Sequence, residues 1–190
     1  MAVVLDRHGP THVWHDLHVG PDAPTMINAV VTIPQHSKVK YQLDKKSGLL
    51  KVDKVLMSAS VYPHNFGFIP RTMKEDGEPV EILIMTQVAV APMAVIRAKP
   101  IGIVRILDQG DKDDKVVAVC VDDPEFKDYG DLSELPAHRL AEIRGFFQDY
   151  KKLEGRTVTV EEMEGTEGGV RAVKDGMDLY TTMVVRDLQG

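Results

Sequence analysis

Four short segments carry more charge and ring chemistry than the apolar sequence around them. In Lys74-Glu75-Asp76-Gly77-Glu78-Pro79-Val80-Glu81, Asp76 and Glu78 stand two apart and point the same way in extended chain. Glu81 stands three from Glu78 and faces away unless the backbone kinks, which Pro79 allows. Asp108-Gln109-Gly110-Asp111-Lys112-Asp113-Asp114-Lys115 crowds carboxylates into a tight loop between two apolar runs, and a bound divalent cation would relieve their repulsion. The spacing is not that of an EF-hand, because the turn glycine and the terminal glutamate are missing. In Ser37-Lys38-Val39-Lys40-Tyr41-Gln42, strand alternation sets Lys38, Lys40 and Gln42 on one face. Tyr62-Pro63-His64-Asn65-Phe66-Gly67-Phe68 is dense in rings and hydrogen-bonding groups.

Each segment alone has an ordinary explanation, since acidic loops are mostly solvated turns and strand lysines mostly edge residues. Together, acids for a hard metal and lysines for phosphate oxygens suit phosphoryl chemistry. Composition and spacing lead no further.

The elements that must position these residues are short. Strands are predicted over 29–33, 38–43, 49–55, 80–86, 95–98, 101–107, 116–121 and 157–160, separated by Pro, Gly and Asp clusters. The turn Lys45-Lys46-Ser47-Gly48 joins the second and third into a hairpin. A helix is predicted over 136–152, with Leu140, Ile143, Phe147 and Tyr150 on one stripe and Pro136 in its first turn. A second, over 169–185, aligns Val170, Val173, Met177, Tyr180 and Val184. Both stripes read as packing faces. The fold expected is α+β, a small closed β-barrel with two helices packed at its side. Residues 1–25, with three prolines, are expected to form an extended N-terminal arm before a single domain spanning 26–190.

The 190 residues include 43% hydrophobic and 27% charged side chains, enough for a core. A net charge of −6 argues against nucleic acid or an anionic membrane as partner, yet a small anion needs only a local basic cluster. Cys120, the lone cysteine, cannot form an internal disulfide and reads as a small buried hydrophobe. No apolar run is long enough to span a bilayer, and the first residues lack the patterns of a signal or transit peptide. The compartment expected is the cytoplasm, with mitochondrion or plastid open for a mature chain.

At the polar segments the chain resembles the family I soluble inorganic pyrophosphatases, most closely their plant and algal branch. The family signature Asp-x-Asp-Pro-x-Asp-x is similar to Asp76-Gly77-Glu78-Pro79-Val80-Glu81-Ile82. Asp108-Gln109-Gly110, Lys112-Asp113-Asp114-Lys115 and Phe147-Gln148-Asp149-Tyr150-Lys151-Lys152 follow in the family's order. Val13-Trp14-His15-Asp16-Leu17 and Ala118-Val119-Cys120-Val121-Asp122-Asp123-Pro124 are the plant-like stretches.

The resemblance implies an OB-like barrel and hydrolysis of pyrophosphate with Mg²⁺, or Mn²⁺ in its place. It implies Asp76, Glu81, Asp108 and Asp113 as metal ligands, and Lys40, Lys54, Lys115, Tyr150 and Lys151 as substrate-binding groups. It assigns catalytic roles to Tyr62, to Asp113 and to Glu78, which falls where the attacking water is oriented. Homo-oligomers are common in the family.

Six aligned positions depart from the family pattern. Glu78 and Glu81 stand for Asp, Thr32 and Gln42 for Glu, Lys54 for Arg and Phe66 for Tyr. The longer acids keep the charge but move the carboxylate by roughly 1 Å, and a misplacement of that size can cost about a hundredfold in rate. Thr32 and Gln42 remove two negative charges, Lys54 loses a planar fork, and Phe66 loses a hydroxyl. A second reading therefore stands beside the first: a domain that kept the fold, lost the chemistry, and serves as a binding or structural subunit of a larger assembly.

Overall fold

A computed structural model describes residues 12–189, with side chains as far as residue 184. Its strands are β1 (Ile27–Ile33), β2 (Val39–Leu43), β3 (Leu50–Val55), β4 (Asn65–Phe68), β5 (Glu81–Met85), β6 (Val95–Asp108), β7 (Asp111–Lys112), β8 (Lys115–Cys120) and β9 (Val158–Glu164). Helix α1 (Ala137–Asp149) precedes β9, and α2 (Thr166–Gln189) follows it.

The sheet closes on itself. β1 pairs β4, β4 pairs β5, β5 pairs β8 in parallel, β8 pairs β6, and β6 returns to β1. β2 and β3 form the expected hairpin, outside this ring. The α+β architecture expected from the sequence, a closed ring of strands with two helices at its side, is therefore present.

The ring strands are apolar on both faces because both faces are covered. Leu83 and Met85 join the cluster that holds Ile143 and Phe147 of α1, while Ile82 and Ile84 join the cluster that holds Val173 of α2. The two helical stripes are packing faces, as their spacing indicates.

Several elements differ from what the sequence pattern predicts. The strands expected at 95–98 and 101–107 are one strand, β6, whose first half pairs β1 and whose second half pairs β9. Pro100 remains in it because the register shifts between Pro100 and Gly102, a bulge that absorbs the missing N–H. β4 is hidden by its own composition: Asn65-Phe66-Gly67-Phe68 lacks a β-branched run but is fully buried. Gly67 is required there, since a Cβ would stand 2.0 Å from the Val30 carbonyl oxygen.

Residues 12–26 form successive turns. They dock through buried Trp14, whose Nε1 donates to the Thr72 carbonyl at 2.8 Å and whose ring lies 6.2 Å from that of Tyr180 on α2. His8, Gly9 and Pro10 of the expected arm lie outside the described residues. Among the described residues, no helix is long and apolar enough to cross a membrane.

Two glycines give opposite expectations. Gly67→Ala should lower the free energy of unfolding by roughly 2 kcal/mol or more, because the clash is with backbone that cannot yield. Gly145→Ala, inside α1 with nothing within 4 Å of its Cβ, should raise it by about 0.5–1 kcal/mol. Urea denaturation of both variants checks the pair.

Candidate active site

The polar segments meet in one cavity of about 320 Å³. β2 supplies Lys40 and Gln42, β4 Phe66, β5 Glu81, and the end of β6 Asp108. Asp111, Lys112, Asp113 and Lys115 come from β7, β8 and the residues between them, and Phe147, Tyr150 and Lys151 from α1 and the residues that follow it. Asp76 and Glu78 line the cavity from a tight turn. In that turn the Lys74 amide donates to the Glu78 carbonyl at 2.7 Å and the Glu78 amide to Asp76 Oδ1 at 2.9 Å, with Gly77 at φ 77°. The turn is the kink that brings Glu81 into the cavity along with Asp76 and Glu78.

Asp108 is buried and answered twice, by Lys151 Nζ at 2.6 Å and Arg156 Nη2 at 2.8 Å. Burial pushes the Asp108 carboxyl up, but these cations outweigh it and hold the carboxyl below its ordinary value. Burial also pulls Lys151 down, further than Asp108 can raise it. Lys115, itself buried, bridges Glu81 and Asp113. Burial would raise Glu81, but the Lys115 and Lys74 ammonium groups outweigh it and hold the carboxyl at about 2. Lys74 Nζ lies 3.1 Å from Asp76, 3.5 Å from Glu81 and 3.8 Å from Asp113. Lys45 holds Glu78 at 2.6 Å.

Tyr62 and Tyr150 are buried with ring centroids 6.5 Å apart. Burial, and then neighbouring acids for Tyr62 and the other tyrosine for Tyr150, keep both hydroxyls protonated, as donors.

The cavity is electrically balanced. Lys40, Lys74, Lys112, Lys115, Lys151 and Arg156 face Asp76, Glu78, Glu81, Asp108, Asp111 and Asp113. Among the described residues, no three His, Cys, Asp or Glu side chains are drawn together closely enough to hold a metal as they stand.

Of the residues singled out in the sequence, Lys40, Tyr62, Asp76, Glu78, Glu81, Asp108, Asp113, Lys115, Tyr150 and Lys151 all line this cavity, as do Thr32, Gln42 and Phe66. Lys38 and His64 do not line it, and neither does Lys54. The β2–β3 register sets Lys54 opposite Lys40, and its ammonium is taken by Glu154 from the turn after α1. Sequence reasoning misses Lys74 and Arg156. Lys74 is legible only as the basic residue beside an acidic motif. Arg156 gives no signal, because it returns to Asp108 after a turn made by Gly155 at φ 71°.

A family model for inorganic pyrophosphatase matches residues 29–181. The chain belongs to the inorganic pyrophosphatase family. It is 52% identical over 189 residues to a soluble inorganic pyrophosphatase of Oryza sativa subsp. indica, covering 100% of this chain and 88% of the rice protein. It is 53% identical over 174 residues to soluble inorganic pyrophosphatase 2 of Chlamydomonas reinhardtii, covering 92% of this chain and 91% of the algal one. The crystal structure of the inorganic pyrophosphatase from Thermus thermophilus superposes with a TM-score of 0.86 at 30% identity, over 90% of this chain and 99% of that one. Family membership thus agrees with the order of motifs along the sequence and with the ring that carries them.

His64 belongs to the ring-rich segment yet does not line the cavity. It is buried, its Nε2 lies 3.3 Å from Glu142, and neither ring nitrogen has a hydrogen-bond partner among the described residues. Burial, with help from Arg139 and His36 and against Glu142, pulls its pKa from 6.5 to about 4. The unfolded chain therefore binds a proton that the folded one resists, and stability should fall as pH drops from 6.5 towards about 4. Urea midpoints across that window check this, and His64→Phe should flatten the slope.

Proposed function

We propose that this cavity hydrolyses inorganic pyrophosphate to two phosphates, with Mg²⁺ as cofactor and Mn²⁺ as an accepted substitute. The observation that carries the reading is convergence: Asp76, Glu81, Asp108 and Asp113 share one cavity with Lys40, Lys115, Lys151 and two buried tyrosines. In the reaction a water oxygen bonds to one phosphorus, the bridging P–O bond breaks, and the protons of water end on the two phosphate products.

Lys40, Lys115 and Lys151 answer the charge on the phosphate oxygens, and the Tyr62 and Tyr150 hydroxyls donate to them. Glu78 orients the attacking water and accepts its proton, its backbone fixed by the Asp76 turn and its carboxylate steadied by Lys45. An all-oxygen donor set fits a hard divalent cation, and Asp76, Glu81, Asp108 and Asp113 are the residues that would hold it. When bound, the metal supplies Lewis acidity, lowering the pKa of a water and offsetting charge on the phosphoryl oxygens.

One observation favours the second reading, a binding or structural subunit. The cavity's acidic and basic side chains already balance one another, so its carboxylates are compensated with no metal.

Phosphate release from pyrophosphate in Mg²⁺ and then Mn²⁺ separates the two. We expect turnover that drops by about a hundredfold or more in Asp113→Ala. Absence of turnover from folded protein would select the second reading. Recovery in Glu78→Asp combined with Glu81→Asp would then assign the loss to the lengthened carboxylates.

A further inference from the structure

We propose that Lys74 is a resident cation of the carboxylate cluster, and that a divalent cation reaches Asp76, Glu81 and Asp113 only by displacing its ammonium. The inference rests on the metal-dependent reading of the cavity given above.

Surface lysines ordinarily pair with a single acid. Lys74 Nζ instead stands among three, 3.1 Å from Asp76 Oδ2, 3.5 Å from Glu81 Oε2 and 3.8 Å from Asp113 Oδ1, with its side chain only 19% exposed. These are three of the four carboxylates proposed to hold the metal. The ammonium is placed there by the chain itself. The Lys74 amide donates to the Glu78 carbonyl, and the Lys74 carbonyl accepts from Gly77 at 3.0 Å, so its backbone forms the base of the turn that presents Asp76 and Glu78. Lys115 gives the same cluster a second ammonium. Three carboxylates facing two ammonium groups retain little net charge with which to attract a further cation. A divalent ion added beside both would also meet like charge at close range.

The structure gives the Lys74 side chain somewhere to go. Lys74 also lines an adjoining cavity of about 910 Å³, together with Glu75, Asp114 and Asp175. Its stem has four rotatable bonds. Asp114 is already held by Arg105 at 2.7 Å, so an ammonium leaving Asp76, Glu81 and Asp113 can turn towards the exposed acids Glu75 and Asp175. Lys74 acts in this account as a tethered competitor that weakens metal affinity and compensates the carboxylates when no metal is bound.

Calorimetric titration with Mn²⁺ tests this without any reliance on turnover. Lys74→Met keeps most of the stem and removes the charge, and should bind Mn²⁺ about tenfold more tightly or better than wild type. Lys74→Arg keeps the charge and should stay near wild type. Equal or weaker binding by folded Lys74→Met, where wild type binds, overturns the inference alone. Absence of Mn²⁺ binding by wild type and Lys74→Met alike overturns the metal-dependent reading and the inference with it. A measurement on unaltered protein guards against a variant that does not fold. Reductive methylation read by mass spectrometry should label Lys74 faster when Mn²⁺ is present, as the ammonium is expelled. Unchanged or slower labelling in the presence of bound Mn²⁺ overturns displacement.

Discussion

A carboxylate or ammonium withdrawn from water must find its opposite, and in this molecule that requirement ties the elements around the cavity to one another. Asp108, at the end of β6, is buried and depends on Lys151 and Arg156, which follow α1. The seat of α1 is thus fixed twice, by Ile143 and Phe147 in the core and by this pair of ionic contacts at its end. Lys115 opens β8 and joins the first residue of β5 to the acidic loop. Removing either partner of such a contact leaves a charge without its answer, which costs more than the contact itself contributes. The closed ring supplies the rigidity that keeps these partners in reach.

Much of this is legible in the sequence, for a physical reason. Period-two alternation decides which side chains share a strand face, and Lys40 and Gln42 do meet in the cavity, whereas Lys38, the third of that set, lies before β2 and does not line it. The hydrophobic stripes of both helices are legible because apolar burial is what a 3.6-residue period records. What stays hidden depends on contacts distant in the chain. Pro100 reads as a break between two strands, and only pairing with β1, β8 and β9 makes β6 continuous. Asn65-Phe66-Gly67-Phe68 is a strand because the chain approaches Val30 too closely for a side chain at Gly67, which no local pattern records. The turn after α1 decides where Lys54 and Arg156 end: Glu154 captures Lys54, and Gly155 returns Arg156 to Asp108.

Two of the six departures from the family pattern, Thr32 and Gln42, act in a common direction, and Lys74, which is not one of the six, acts with them. Thr32 and Gln42 bring no charge where the family pattern has glutamate, and Lys74 adds a positive one among the acids. All three make the cavity less negative and leave Lys40, Lys115, Lys151, Tyr62 and Tyr150 in place. Glu78 and Glu81 act differently, since they keep their charge and lengthen the reach. Lys45 and Lys115 hold these longer side chains, which gives the extra methylene a defined position.

The most direct test of the account is a crystal structure of the protein with Mn²⁺ and imidodiphosphate, a pyrophosphate mimic with a nitrogen bridge. The account predicts anomalous Mn²⁺ signal among Asp76, Glu81, Asp108 and Asp113, with the diphosphate mimic against Lys115, Tyr150 and Lys151 in the same cavity. A cavity left empty of both, or a mimic bound elsewhere on the molecule, would contradict it.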